Sequence, residues 1–141
     1  MNPGAVLEAA LRALTAAEVP YMLTGSFAAA YHGTPRATQD IDLVINPTRT
    51  QLRMLVRRFP PTRYYVEESA ALEALDNGGQ FNVIDTETGW KIDFIIRRSR
   101  PFSRAEFDRR QQVDLDGIPL FVATAEDLLI AKLEWARMGS Q

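Results

Sequence analysis

Apolar residues recur three and four positions apart through Val6, Leu7, Ala10, Leu11 and Leu14, the spacing of one buried helical face, with Asn2 as a cap and Pro3 in the first turn. Val19-Pro20 ends that helix, and the period then changes. Tyr21-Met22-Leu23-Thr24 predicts a short buried strand, Gly25-Ser26 a turn, Phe27 to Tyr31 a short helix stopped at Gly33, and Asp40 to Ile45 a second strand. Asn46-Pro47 is expected to cap a basic amphipathic helix from Thr48 to Phe59, which Pro60-Pro61 breaks.

Arg63 to Val66 then reads as a strand, Glu67 to Leu75 as a helix and Asn77-Gly78-Gly79 as a turn. Phe81 to Asp85 and Trp90 to Ile96 flank Thr86-Glu87-Thr88-Gly89 and predict a β-hairpin with a four-residue loop. A short helix from Ser103 to Gln111 follows, then two strand segments split by Asp116-Gly117, and a last helix capped by Thr124 with Asp127 three residues later. Helices and strands intersperse without regular βαβ alternation. That argues an α+β fold, a mixed β-sheet of about five strands flanked by helices. With no repeat, low-complexity stretch or linker, residues 1–141 are expected to form one domain.

Composition narrows the chemistry. The 141 residues are 46% hydrophobic and 24% charged, an ordinary globular balance long enough for a real core. The chain has no cysteine and one histidine, which excludes a disulfide scaffold, a thiol nucleophile, an iron–sulfur cluster and a Cys/His zinc site and fits a reducing cytoplasm. No apolar run approaches the ~18 residues that span a bilayer, and no basic segment leads into an apolar one at the N-terminus, so neither membrane association nor secretion is expected. A net charge of −2 argues against wholesale electrostatic capture of nucleic acid. Arginine nevertheless dominates the 16 basic residues, leaving Lys91 and Lys132 as the lysines. It clusters twice, at Arg49, Arg53, Arg57, Arg58 and Arg63 and again at Arg97, Arg98, Arg100, Arg104, Arg109 and Arg110. Solvated faces are the ordinary reading of both clusters.

The most informative stretch is Leu23-Thr24-Gly25-Ser26-Phe27 followed by Gln39-Asp40-Ile41-Asp42-Leu43. Strand alternation puts Asp40 and Asp42 on one face and Ile41, Leu43 and Ile45 on the other. Two carboxylates side by side repel unless cations neutralise them, and oxygen-only ligands favour Mg²⁺ or Mn²⁺. An exposed edge-strand pair is the plainer alternative. Gly25 lets the backbone approach a ligand, and Ser26 at a helix start offers its hydroxyl and amide to phosphate, or is simply a helix cap. Asp93, alone in the apolar strand Trp90-Lys91-Ile92-Asp93-Phe94-Ile95-Ile96, wants a partner, with Lys91 or an arginine as the structural answer. Lys132 falls among Leu128, Leu129, Trp135 and Ala136 on the apolar face of the last helix, where it either snorkels or meets a ligand. His32 reads as structural. Thr38 and Gln39 adjoin the carboxylates.

Gly-Ser, thirteen intervening residues and then Asp-Ile-Asp-Leu resemble the signature of the DNA polymerase β-like nucleotidyltransferase superfamily. Phe121 to Leu133 resembles its branch of AbiEii-like type IV toxins and uncharacterised bacterial relatives. The likeness spans Leu23 to Trp135 and implies the nucleotidyltransferase fold. It also implies transfer of an NMP from an NTP to a hydroxyl acceptor, with two metal ions, Mg²⁺ or Mn²⁺, held by Asp40, Asp42 and Asp93. Gly25, Ser26 and Lys132 then meet the nucleotide phosphates, Asp93 takes the acceptor proton, and Lys132 joins the catalytic group. Relatives continue with a further helix, so a C-terminally truncated chain is expected. The acceptor is an RNA, a protein hydroxyl or a small molecule, with the Arg97 to Arg110 cluster favouring RNA, and the toxin branch implies a cognate antitoxin as partner. Two alternatives stay open: an antibiotic-modifying nucleotidyltransferase, and a catalytically silent nucleic-acid-binding module of the same fold.

Overall fold

A computed structural model describes residues 3–25, 40–115 and 118–127. Helix α1 runs Pro3–Ala16 and buries the predicted stripe of Val6, Leu7, Ala10, Leu11 and Leu14. Strand β1 is Tyr21–Thr24 and β2 is Asp40–Ile45. Helix α2, Arg49–Arg57, starts from Thr48 rather than from the expected Asn46-Pro47. Thr48 Oγ1 accepts from Gln51 N–H (3.2 Å) while Gln51 Oε1 accepts from Thr48 N–H (2.8 Å). This reciprocal capping box fills two orphan donors, which the Asn-Pro pair cannot do.

After the two-residue β3 (Tyr64–Tyr65) comes α3, Glu68–Asn77, closed by Gly78 in the left-handed conformation at φ 66°. The predicted hairpin is β4 (Gln80–Asp85) with β5 (Lys91–Ile96). Helix α4 spans Pro101–Asp108, ending earlier than the expected Gln111 because that residue opens β6, Gln111–Leu115. Strand β7 is Ile118–Val122, and beyond it Thr124 Oγ1 accepts from Asp127 N–H (3.1 Å) as expected of a cap.

The strands form one sheet in the order β3-β4-β5-β2-β1-β7-β6, seven strands and not about five. Each of the seven was legible as a strand segment; what tertiary pairing adds is their union in a single sheet. The short β3 pairs only at the edge with β4, and the β6–β7 hairpin is recruited by the parallel meeting of β7 with β1 at Leu23 and Val122. At the centre, β2 lies parallel to β5 and antiparallel to β1, so the sheet is mixed as the sequence implied. Ile41, Leu43 and Ile45 are fully buried, and their parallel partners Ile92, Phe94 and Ile96 are buried with them. Phe94 stacks on Phe81 from β4, with ring centroids 5.2 Å apart, and meets Phe59 beyond α2 at 6.1 Å. Burying Phe94 alone contributes on the order of 2–3 kcal/mol. This apolar face holds the central strands rigid while their opposite faces carry the polar residues.

Candidate active site

Register decides which polar residues meet. Asp42 is paired with Asp93 across the parallel β2–β5 junction, Asp93 with Asn82 across β4, and Asp42 with Thr24 across β1. Directly paired residues share a face, so Asn82, Asp93, Asp42 and Thr24 form one polar row across four strands. One step along, Asp40 is paired with Lys91, and Ile84 with Lys91 on the other side. Asp40 and Asp42 are half-buried while Ile41 and Leu43 are completely buried, the alternation expected of β2. Thr24 and Asn82 join the candidate site through pairing, and pairing also brings Lys91 to Asp40. Alternation within β5 already placed Lys91 beside Asp93, and the four-residue hairpin loop sets Asn82 opposite Asp93, whereas nothing local marks Thr24.

Gly25 closes the row. Its φ is +75°, in the left-handed region, and a Cβ there would collide with Asp42 Oδ2. Glycine is thus required twice, for the backbone turn and for the close approach to the carboxylate.

The site is electrostatically loaded. Burial, followed by the charge of Asp93, a hydrogen bond with it and the charge of Asp40, raises the Asp42 carboxyl to about 6, with Lys91 opposing. Burial raises Asp93 as well, while Lys91 and the Asp42 hydrogen bond pull it down. Two carboxyl groups on adjacent strands therefore keep a shared proton, with Asp42 as its donor, to higher pH than an isolated carboxyl would. Asp93 is 9% exposed, and its Oδ1 is buried with no hydrogen-bond partner. Lys91 Nζ lies 3.9 Å from Asp93 Oδ1 and 3.9 Å from Asp40 Oδ1. The partner anticipated for Asp93 is present, but at a distance too long for a hydrogen bond.

No three acidic or histidine side chains among the described residues already stand as a metal-ligand group. The donors still suit a hard divalent cation: oxygen-only, two carboxyl groups in register, and a buried carboxylate oxygen lacking a donor. Ser26 and Lys132, together with His32, Thr38 and Gln39, lie outside the described residues.

The other buried acids are closed. Arg63 reaches Asp85 through Nε to Oδ1 (3.3 Å) and Nη2 to Oδ2 (3.1 Å), and Arg109 reaches Asp127 at 3.1 and 2.7 Å in the same two-pronged way. Burial pushes Asp85 up, but the Arg63 hydrogen bonds and the Glu87 N–H outweigh it and hold it below the usual carboxylate range. Arg109 holds Asp127 low against burial. Arg49 pairs with Asp76 (3.0 Å) and Arg57 with Glu68 (3.4 Å), lacing α2 to α3. Arg110 sits over Phe107 (4.3 Å) and Phe121 (4.9 Å). The uniform reading of the arginine clusters as solvated faces is corrected for Arg63 and Arg110, which are partly buried against Asp85 and the Phe107 and Phe121 rings, whereas Arg49, Arg57 and Arg109 keep exposed positions while pairing with acids. Arg98, Arg100 and Arg104 keep exposed positions.

The fold agrees with solved structures. A putative nucleotidyltransferase of Thermotoga maritima superposes with a TM-score of 0.65 at 16% identity, covering 96% of this chain and 85% of that one. The chain has the nucleotidyltransferase fold. The antibiotic-resistance factor ANT(2'')-Ia matches with a TM-score of 0.55 at 15% identity over 95% of this chain and 71% of that protein. A CCA-adding enzyme in complex with ATP matches at 0.50 and 14% identity over 91% of this chain, which spans only 29% of that longer protein. No protein-family profile and no curated protein matches the sequence. Among the described residues no helix is long and apolar enough to cross a membrane.

Proposed function

We propose that the chain is a metal-dependent nucleotidyltransferase that moves an NMP from an NTP to a hydroxyl acceptor. The observation that carries this reading is the in-register meeting of Asp42 and Asp93 on adjacent parallel strands, with Gly25 pressed against Asp42 and Asp40 on the same strand face. In a nucleotidyltransferase fold this is an acidic row beside a glycine turn, suited to a nucleotide carried with divalent cations.

Asp40, Asp42 and Asp93 would hold Mg²⁺ or Mn²⁺, which supplies positive charge to the triphosphate and to the oxygens of an in-line displacement. The acceptor oxygen bonds to the α-phosphorus as the bond to the bridging oxygen breaks, and pyrophosphate leaves. Asp93, in register with Asp42 at the centre of the row, takes the acceptor proton. Gly25 keeps the backbone low enough for phosphate to approach, Ser26 hydrogen-bonds the phosphates, and Lys132 neutralises their charge. These last two roles rest on the motif resemblance.

An RNA or protein hydroxyl is the acceptor in this reading, RNA being favoured by exposed Arg98, Arg100 and Arg104. A toxin role in the cytoplasm with a cognate antitoxin follows from the resemblance to the AbiEii-like branch. The test is incubation with each labelled NTP, Mg²⁺ or Mn²⁺ and a panel of RNA, protein and aminoglycoside acceptors, followed by locating the label. Metal-dependent label on RNA or protein supports the reading. Label on the drug moves the assignment to antibiotic modification, and no turnover with any acceptor favours a silent binding module.

A further inference from the structure

Resting on the metal reading of this site, we infer that Lys91 is its resident counter-ion: the ammonium group spans Asp40 and Asp93 in the metal-free protein and gives way when a divalent cation enters. Three features of the site argue for it. The Nζ atom stands 3.9 Å from both carboxylate oxygens, against 2.7 Å for Arg109 to Asp127, so it is held between two charges and hydrogen-bonded to neither. Asp93 Oδ1 remains buried without a hydrogen-bond donor, so Lys91 offsets the charge of Asp93 while leaving that oxygen open to a ligand. The side chain is 38% exposed, which leaves the head group a route out to water.

Residue type supports the same conclusion. A chain that uses arginine almost throughout has lysine here. A guanidinium would lock two carboxylate oxygens in a planar fork, as Arg63 and Arg109 do elsewhere in the molecule. An ammonium on a flexible stem is a point charge that screens and then swings clear. Cross-strand pairing makes the contact obligatory, since Lys91 is opposite Asp40 and two residues before Asp93, on the same face as both. Lys91 thus opposes divalent binding while keeping three neighbouring carboxylates tolerable in its absence.

Mn²⁺ binding without nucleotide, measured by titration calorimetry or by the loss of free-ion paramagnetic resonance, tests this on the intact chain. Lys91→Met keeps the stem and removes the charge. It should bind Mn²⁺ about tenfold more tightly than the wild type, the factor expected from repulsion between single and double positive charges about 6 Å apart in a water-like dielectric. Its metal-free Tm at neutral pH should fall, and saturating Mn²⁺ should recover more Tm than in the wild type. Lys91→Arg, which keeps the charge, should bind no more tightly than the wild type. Lys91→Gln repeats the measurement should the methionine variant not fold. Equal or weaker Mn²⁺ binding by the uncharged variants, alongside a wild type that does bind, overturns the counter-ion role alone. A wild type and variants that all ignore Mn²⁺, with and without NTP, overturn the metal reading of the site and this inference with it.

Discussion

Asp85 and Asp93 belong to the same hairpin, are 1% and 9% exposed, and sit in strands paired to each other, yet they are held in opposite states. Asp85 receives both prongs of Arg63 and the Glu87 N–H, and its carboxyl titrates below the usual range. Asp93 faces another carboxyl in register, has one oxygen without a donor and titrates above it. Burial raises both. What separates them is whether the fold supplies a fork of donors or a like charge. A closed carboxylate stabilises structure, whereas an open one stores repulsion that a cation relieves.

Substituting the two kinds of acid should therefore have opposite consequences. Asp42→Asn should lower metal-dependent transfer by more than about a hundredfold, since outer-shell partners of metal ligands alone are worth 10–100-fold, while metal-free Tm is kept or raised. Turnover and thermal melts on the same preparation check both halves. A large Tm loss would make Asp42 structural. Asp85→Asn should do the reverse, costing about 1–3 kcal/mol of stability through lost charge-assisted hydrogen bonds and leaving Mn²⁺ binding unchanged.

Two glycines sharpen the contrast between site and scaffold. Gly25→Ala and Gly89→Ala each put a side chain into the left-handed region, at φ 75° and 79°, which should cost about 1–2 kcal/mol in denaturant melts at Gly89 and more at Gly25. At Gly89 a Cβ meets open space, whereas at Gly25 it meets the Asp42 carboxylate. Mn²⁺ uptake should fall in the first variant only. Equal uptake in both would mean that the close approach of Gly25 has no bearing on metal.

The smallest effect expected is in the pH dependence of the metal-free protein. Asp85 and Asp127 lie below their unfolded values, so their stabilisation is present above about pH 3.9 and is lost as pH falls through the folded values. Asp42 lies above its unfolded value, so its contribution is present below about pH 3.9 and is lost as pH rises through about 6. Tm should peak on the acid side of neutrality. Asp42→Asn should flatten the decline toward neutral pH, Asp85→Asn should soften the acid side, and excess Mn²⁺ should move the maximum upward. Melts across pH with and without Mn²⁺ separate these contributions.

Local pattern determined a good deal of this protein. Helical spacing in 6–14, alternation through 40–45 and the hairpin around Thr86 to Gly89 are short-range consequences of which residues flee water, and each appears where the sequence puts it. Alternation also sufficed to put Asp40 with Asp42 and Lys91 with Asp93, because side chains two apart on a strand share a face whatever the strand pairs with. Tertiary structure decided the rest. That Asp42 meets Asp93, that Thr24 extends the row, and that Lys91 reaches Asp40 all depend on the β5-β2-β1 register, which local pattern does not set. The fate of the arginines was equally hidden: Arg63 and Arg109 look like their neighbours in sequence, and only folding brings them to Asp85, 22 residues away, and Asp127, 18 residues away. Sequence periodicity specifies which way a side chain points, but the energy of a charge depends on what stands opposite it, and that is set by pairing across the sheet.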